Sequence, residues 1–365
     1  MIQKIKLVFN KIGNLFNFDK TILLTLLLLC IINVVVQYSA TDKDIARLIN
    51  DSIYMGVSFI ILIIFANLNL NHIKALAKPM YVLSILLLIC VMLFGVSVNG
   101  AKRWLNIGFR IQPSEIAKLA VPLILSYYFS IKAQLLTKLD YIKAFVLLII
   151  PAALIIKQPD LGTSILVFSA GFYVLFFAGL SWRVIIFALI VFICSTPLIW
   201  HFLHPYQQHR ILTLIHPQSD PLGKGYHLIQ GMVAIGSGGL WGKGYLQGTQ
   251  THLNFIPEKD TDFVITVIAE EFGYIGVCIL LLLYLVLIIR GIGIMRKAED
   301  MFSKTLAGSI VMSFTTYIMI NMSMVAGIMP VVGVPLPFIS HGGTATSVIM
   351  AGFGILLAIA RKYRF

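Results

Sequence analysis

Three carboxylates stand at and just inside the start of one apolar stretch: Asp262, Glu270 and Glu271. Asp262 belongs to the string IPEKDTDF (Ile256 to Phe263), and both glutamates follow in VITVIAEEFG. At about 1.5 Å per helical residue, Glu270 lies about 12 Å beyond Asp262. Ionisable groups at such depth are costly and need a partner, a proton or a function. An ionised aspartate at a helix mouth can take the proton of an incoming hydroxyl as general base. Glu258 precedes it by four residues. The blander reading makes Asp262 a helix cap, or a complement to the helix dipole. For Glu270 and Glu271 a structural polar lock is preferred to a proton pathway, because buried charges are often merely paired.

Cations are scattered through the polar connections: Lys102, Arg103, Lys157, Arg210, Lys224 and Lys243. Such a set suits an anionic leaving group such as pyrophosphate. Trp104, beside Arg103, has the ring to stack on a sugar or to anchor the membrane interface. Glu115 and Lys118 are spaced to pair along one helix face. The candidate substrate-binding set is Lys102, Arg103, Trp104, Asp160, Arg210, Lys243 and Glu258, with Glu115 and Lys118 as a structural polar pair. The run GSGGLWGKG resembles a phosphate cradle only loosely, and tight turns are the better reading. No GxxxxGK[ST] string occurs, which argues against a nucleotide-driven pump. Cys30, Cys90, Cys194 and Cys278 fall inside apolar stretches and show no metal-ligand spacing.

These residues must be positioned by elements of an unusual composition. The chain is 59% hydrophobic and 12% charged, with a mean hydropathy of +0.92. That composition predicts an all-α integral membrane protein, a single polytopic domain over 1–365. Ten apolar spans are read at roughly 22–38, 53–69, 79–98, 112–130, 144–156, 161–180, 184–202, 263–289, 306–328 and 344–360. The fifth is short for a hydrocarbon core of about 30 Å, so thinning or a neighbouring turn must help it. One long loop, 203–262, separates the seventh span from the eighth. Residues 1–20 place Ile2, Ile5, Phe9, Ile12 and Phe16 at helical spacing among lysines, as a helix lying on a membrane surface would.

Charge orients the bundle. Segments 1–21, 70–78, 131–143, 181–183, 290–305 and 361–365 collect 17 Lys/Arg against 4 Asp/Glu, so the whole formal charge of +13 sits on one face. The positive-inside rule makes that face, with both termini, cytoplasmic. The basic balance then reports topology and contact with membrane lipid, not nucleic acid. The long loop and the turns at 99–115, 157–163 and 329–343 share the outer face.

The strings GAKRWLNIG, QPSEIAK, QPDLGTSILV, DPLGKGYHLIQ, AIGSGGLWGKG, GTQTHLNFIPEKDTDF, IAEEFG, PVVGVPLPFISHGG and MAGFGIL, in that order over about residues 99–356, resemble the SEDS family of bacterial wall-building membrane proteins. FFAGLSWR and MAGFGIL look more like its elongation branch than its division branch. The resemblance implies a peptidoglycan glycosyltransferase of the bacterial cytoplasmic membrane that polymerises lipid II on the outer face. It maps the family's essential acidic residue onto Asp262, its motif tryptophan onto Trp104, and its paired Glu and Lys onto Glu115 and Lys118. It implies a class B penicillin-binding protein and other elongation-complex membrane proteins as partners. The chain departs from the family pattern at Asp260 (often His), His341 (usually Tyr), Thr344 (usually Ser) and Gly231 (often Ser).

The mechanism expected is direct displacement with inversion. Asp262 takes the proton of the acceptor 4-hydroxyl, and undecaprenyl pyrophosphate leaves. Cations would stabilise the departing group; a divalent ion, Mg or Mn, is left open, and no other cofactor is required. Two rival classes are a lipid II transporter and a non-catalytic scaffold for the penicillin-binding protein. A transporter would place its charges in mid-membrane cavities reachable from both sides, whereas here the unusual residues gather on one face.

Overall fold

The computed structural model describes residues 18–98, 101–106, 110–133, 135–203, 205–220, 223–253, 255–256 and 258–363. The surface helix expected within 1–20 falls almost wholly outside them. Ten helices follow the ten apolar stretches: α1 (Lys20–Ala40), α2 (Ile45–Asn67), α3 (Leu70–Phe94), α4 (Pro113–Ile131), α5 (Lys138–Ile156), α6 (Leu161–Phe177), α7 (Trp182–Phe202), α11 (Val264–Lys297), α12 (Met301–Val325) and α13 (Gly343–Lys362). Among the described residues seven of these, α1 to α3, α5 and α11 to α13, are long and apolar enough to cross a membrane. Leu161–Phe177 and Trp182–Leu198 are shorter apolar helices. The protein is a multi-pass membrane protein.

Several helices begin earlier than hydropathy predicts, and each has a capping reason. Asp44 accepts from the backbone N–H groups of Ala46 and Arg47 to start α2. Asn69 does the same for Asn71 in α3. Thr137 and Asp140 form a capping box that starts α5 at Lys138, so the fifth span is 19 residues long and needs no thinning. Caps lie in the polar zone, where an average over apolar residues cannot see them.

The long loop is structured rather than a chain of turns. It carries α8 (Pro205–Ile215), a 3-10 turn (Pro217–Ser219), α9 (Lys224–Ser237) and α10 (Thr249–His252). The connection from α3 to α4 folds into an antiparallel meander of β1 (Val96–Val98), β2 (Ala101–Asn106) and β3 (Arg110–Ile111). Trp104 faces Val96 across the β1–β2 register.

Packing follows membrane rules. On α1 the side chains of Ile22, Leu26, Leu29, Asn33 and Gln37 are buried, while Leu24 and Ile31 are about three-fifths exposed, at 60% and 61%. Polar amides turned inward and leucines turned outward invert the soluble pattern, as lipid requires. α2 and α13 approach through small residues. Ser58 and Ser347 hydroxyls meet at 2.9 Å, and a Cβ added at Gly354 would lie 2.6 Å from the Leu62 carbonyl oxygen. Close backbone approach of this kind replaces the hydrophobic drive that lipid removes.

α11 is broken. Gly273 has φ 64 and ψ −164 inside the helix. The glycine-rich run between α9 and α10 fills the break: Lys243 N–H donates to the Glu270 carbonyl at 2.9 Å, Gly244 N–H to Glu271 at 3.1 Å, Tyr274 N–H to Gly239 at 2.9 Å and Ile275 N–H to Leu240 at 3.2 Å. A break in a membrane helix must have its freed backbone groups satisfied by protein, and here the loop supplies them. GSGGLWGKG is therefore a backbone plug.

Candidate active site

One end of the bundle opens into a cavity of about 280 Å³ walled by segments distant in sequence. β2 contributes Arg103 and Trp104; α4 contributes Glu115 and Lys118; α6 and its cap contribute Asp160 and Thr163; α8 contributes Arg210. Glu258, Thr261 and Asp262 come from the turn before α11, and Gly333, His341 and Thr344 from around the connection between α12 and α13. A smaller space of about 50 Å³, lined by His227, Glu258, Asp262 and Gly333, adjoins the same carboxylates. A larger cavity of about 430 Å³ lies elsewhere, between α6, α7, α11 and α12. Its walls are mainly aromatic and aliphatic side chains with Tyr173 and Arg296, and among the described residues it holds no carboxylate or histidine.

Asp262 is half-buried. Its helix begins at an N-cap of Phe263, one residue after Asp262. The backbone beneath it is held at three consecutive carbonyls. Asp260 accepts from the Gln37 side-chain amide at 2.9 Å and from His341 N–H at 2.9 Å. Thr261 accepts from the Ser340 hydroxyl at 2.5 Å, and Asp262 accepts from the Asn321 amide at 2.9 Å. The same amides reach the opposite loop: Asn33 and Gln37 donate to the Ile339 carbonyl at 2.8 and 2.7 Å, and Asn321 to Val334 at 2.7 Å. Buried amides of α1 and α12 thus staple the Asp262 turn to the 329–342 connection. Such stapling fixes the position of the Asp262 turn, as precise placement of a side chain requires.

The sequence candidates separate into two groups. Arg103, Trp104, Glu115, Lys118, Asp160, Arg210, Glu258 and Asp262 come together around the cavity. Lys118 donates to Glu115 at 2.6 Å and sits 4.8 Å from the centre of the Tyr317 ring. Asp160 also caps α6 through Thr163 N–H at 3.2 Å and accepts from Gln112 at 3.0 Å. Arg103 approaches that carboxylate to 3.9 Å and donates to the Pro159 carbonyl. Lys102 and Lys243 are not brought to the cavity. Lys102 is exposed on β2, and Lys243 is 2.7 Å from Glu270.

Glu270 and Glu271 form a second, closed polar cluster. Glu270 is fully buried. It accepts from Lys243, from the hydroxyl and N–H of Thr249, and from the N–H groups of Gln250 and Thr251, at 2.7 to 3.2 Å. Glu271 accepts from the Ser39 hydroxyl of α1 and contacts His252 Nε2 at 3.1 Å. His252 Nδ1 reaches Asp42 at 3.0 Å, and Lys259 donates to both Asp42 oxygens at 2.7 and 2.8 Å. Burial raises the Asp42 carboxyl, but hydrogen bonds from Lys259 and His252 outweigh it and hold the group below the ordinary range. The polar lock is real, and it ties the loop and α1 to the upper part of α11.

The far end of the bundle is tied differently. Asp300 caps α12 through Ser303 N–H at 2.9 Å and accepts from Lys362 at 2.8 Å. Burial opposes its ionisation, yet hydrogen bonds from Lys362, Tyr363 and Ser303 keep it well below the usual carboxylate range. Arg290 pairs with Asp19, and Arg361 donates to the Asn67 side chain at 3.1 Å. These are the segments that the charge count assigned to one face, and they gather opposite the cavity.

Sequence reasoning missed Asn33, Gln37 and Asn321 as supports, and Asp51 as the partner of His341. Isolated amides and acids in apolar helices were a signal that polar groups must find partners inside, but not which partners. Among the described residues no three His, Cys, Asp or Glu side chains converge as a metal-ligand set.

The comparisons with known proteins agree with this architecture. The family model of cell cycle proteins for FtsW, RodA and SpoVE matches residues 15–364. The chain belongs to the SEDS family. It is 45% identical over 343 residues to the peptidoglycan glycosyltransferase MrdB of Escherichia coli K12, covering 93% of both chains. It superposes with a TM-score of 0.84, at 29% identity and over 95% of its length and 98% of the other, on a chain solved for structural coordination of polymerization and crosslinking by a peptidoglycan synthase complex. Against the rod shape-determining protein RodA of Thermus thermophilus the TM-score is 0.73 at 25% identity, over 96% of this chain and 99% of that one. Its relatives place it in the RodA-like branch of the SEDS proteins.

Proposed function

We propose that this protein is a peptidoglycan glycosyltransferase that polymerises lipid II into glycan strands, with Asp262 as general base. The observation that carries the proposal is a half-buried carboxylate on a backbone pinned at three carbonyls, opening into a cavity that also holds Arg103, Lys118 and Arg210. Asp262 removes the proton of the acceptor GlcNAc 4-hydroxyl as its oxygen attacks the anomeric carbon of the donor MurNAc. The bond to the lipid pyrophosphate breaks and configuration inverts. The cavity cations offset the charge that develops on undecaprenyl pyrophosphate. Trp104, at the rim, offers a face on which a sugar ring can stack. A divalent ion taking part would have to share its coordination between few carboxylates and the substrate's own phosphates.

The positive-inside count supports a bacterial cytoplasmic-membrane topology with cytoplasmic termini, and it puts the cavity on the outer face. Outside the cell no nucleotide sugar is at hand, so a lipid-linked donor matches a site at headgroup depth. The synthase complex among the structural neighbours supports a class B penicillin-binding protein as partner. The test uses detergent-solubilised protein with that partner and lipid II, where flipping has no meaning. Glycan polymer is expected from the wild type and not from Asp262→Asn, with the variant's melting unchanged. Polymer from the variant refutes the assignment of the base; no polymer from either favours a transporter or scaffold.

A further inference from the structure

The cavity holds a titratable group that the reaction as written does not use. His341 lies just before α13, at the end of the connection from α12. Its backbone N–H donates to the Asp260 carbonyl at 2.9 Å, two residues before Asp262. Its side chain lines the same cavity as Asp262, Arg210 and Lys118 and is 41% exposed there. Its Nδ1 lies 2.9 Å from Oδ1 of Asp51 on α2. Asp51 is buried, at 6% exposure, and its second oxygen has no hydrogen-bond partner among the described residues.

A buried carboxylate with one unmet oxygen is stabilised most by a neighbouring positive charge. With Nδ1 turned to Asp51, Nε2 is the nitrogen left for a ligand, and as imidazolium it is a donor. The other charged groups around it come from several elements. Arg47 of α2 lies 4.0 Å from Asp260. The cavity wall adds Glu115, Lys118, Arg210, Glu258 and Asp262. The hydrogen bond that Nδ1–H donates to Asp51 raises the imidazole's pKa most. Burial opposes it, the charges of Asp51 and Asp260 add to the rise, and Arg47 works against it. The net effect is a pKa above the ordinary imidazole value.

We propose that the Asp51–His341 pair is a proton-dependent ligand for the diphosphate of the lipid-linked substrate, His341 binding a phosphate oxygen through Nε2 and Asp51 orienting the ring and holding its charge. A permanent cation, Arg or Lys, would grip the released undecaprenyl pyrophosphate equally at every pH. A histidine relaxes its grip as pH rises. This inference rests on the glycosyltransferase reading and adds to it a binding residue whose charge depends on pH.

The test is equilibrium binding of undecaprenyl pyrophosphate to the full-length protein in detergent, in an Asp262→Asn background that prevents turnover, between about pH 6 and about pH 8.5. Binding is expected to weaken about tenfold across that range, the scale of one charge-assisted hydrogen bond. His341→Gln should bind about tenfold more weakly at the acid end and lose most of the dependence. His341→Lys should restore tight binding and keep it at the alkaline end. Asp51→Asn should move the transition to lower pH. If the His341→Gln protein, shown to be folded by its melting curve, keeps the wild-type affinity and slope, the proposal is overturned. A variant that binds normally but loses turnover in an otherwise wild-type background also overturns it, pointing to proton transfer instead. Absence of binding by every version, including wild type, would sink the glycosyltransferase reading itself.

Discussion

The two acidic stations of the eighth span sit eight residues apart and have opposite surroundings. Glu270 has donors on both oxygens and no exposure. Asp262 is half-open, its carboxylate faces a cavity, and the hydrogen bonds that hold its turn go to backbone carbonyls. A carboxylate saturated with donors is stabilised as an anion and is a poor base. One whose backbone is pinned while its head stays accessible can still exchange a proton. Carboxylates eight residues apart thus differ by what surrounds them: Glu270 is locked, and Asp262, under the proposed function, is left to act as base.

The largest effect that can test this division is on turnover. Asp262→Asn should cost about two to four orders of magnitude in polymerisation, the usual worth of a general base, with little change in melting. Glu270→Ala should do the reverse. Leaving Lys243 and three backbone N–H groups unmatched should cost about 3 to 5 kcal/mol, read as a large drop in melting temperature. A stable Glu270→Ala protein with lost activity would break the comparison. Gly242→Ala comes next, because its added Cβ would lie 2.1 Å from the Glu271 carbonyl oxygen at φ +80. It should lose about 1 to 3 kcal/mol by pushing the loop out of the break in α11.

Asn321→Ala sharpens the contrast from the Asp262 side. It removes donors to the Asp262 and Val334 carbonyls, and kcat should fall about tenfold through misplacement of the base. The smallest effect is on the pH dependence of melting. His341 has a raised value, so its contribution is complete below the ordinary histidine range of about 6.5 and is lost as pH rises through the raised one. Asp42 has a lowered value, so its contribution is present above the ordinary carboxylate range and is lost as pH falls through the lowered one. His341→Gln should flatten the alkaline limb of the profile and Asp42→Asn the acid limb.

Helix number, membrane class and the face carrying the cations were legible because each is a local sum over apolar or basic residues. The place of the TDF turn in the cavity wall could be anticipated too, since an aspartate beside a membrane span is conspicuous on its own. The start of α5 was misread because Thr137 and Asp140 contribute little hydropathy although their capping box decides the boundary. The break at Gly273 was not legible either. A glycine within an apolar run is common, and only the plug formed by Gly239 to Gly244 makes it a break.

By itself the sequence determined that this chain spans a membrane many times and which end is basic, and it singled out Asp262 as the candidate base. Periodicity, hydropathy and charge need no knowledge of neighbours. Tertiary structure alone decided that Glu270 is buried among donors while Asp262 lines the cavity, that Lys243 serves Glu270 rather than the cavity, and that Asn33, Gln37 and Asn321 staple the Asp262 turn and the connection facing it. Those assignments depend on hydrogen bonds such as Asn33 to Ile339, between residues about three hundred positions apart. In a low-dielectric bundle each polar group must be satisfied by whichever partner the fold brings to it, and no local pattern records that choice.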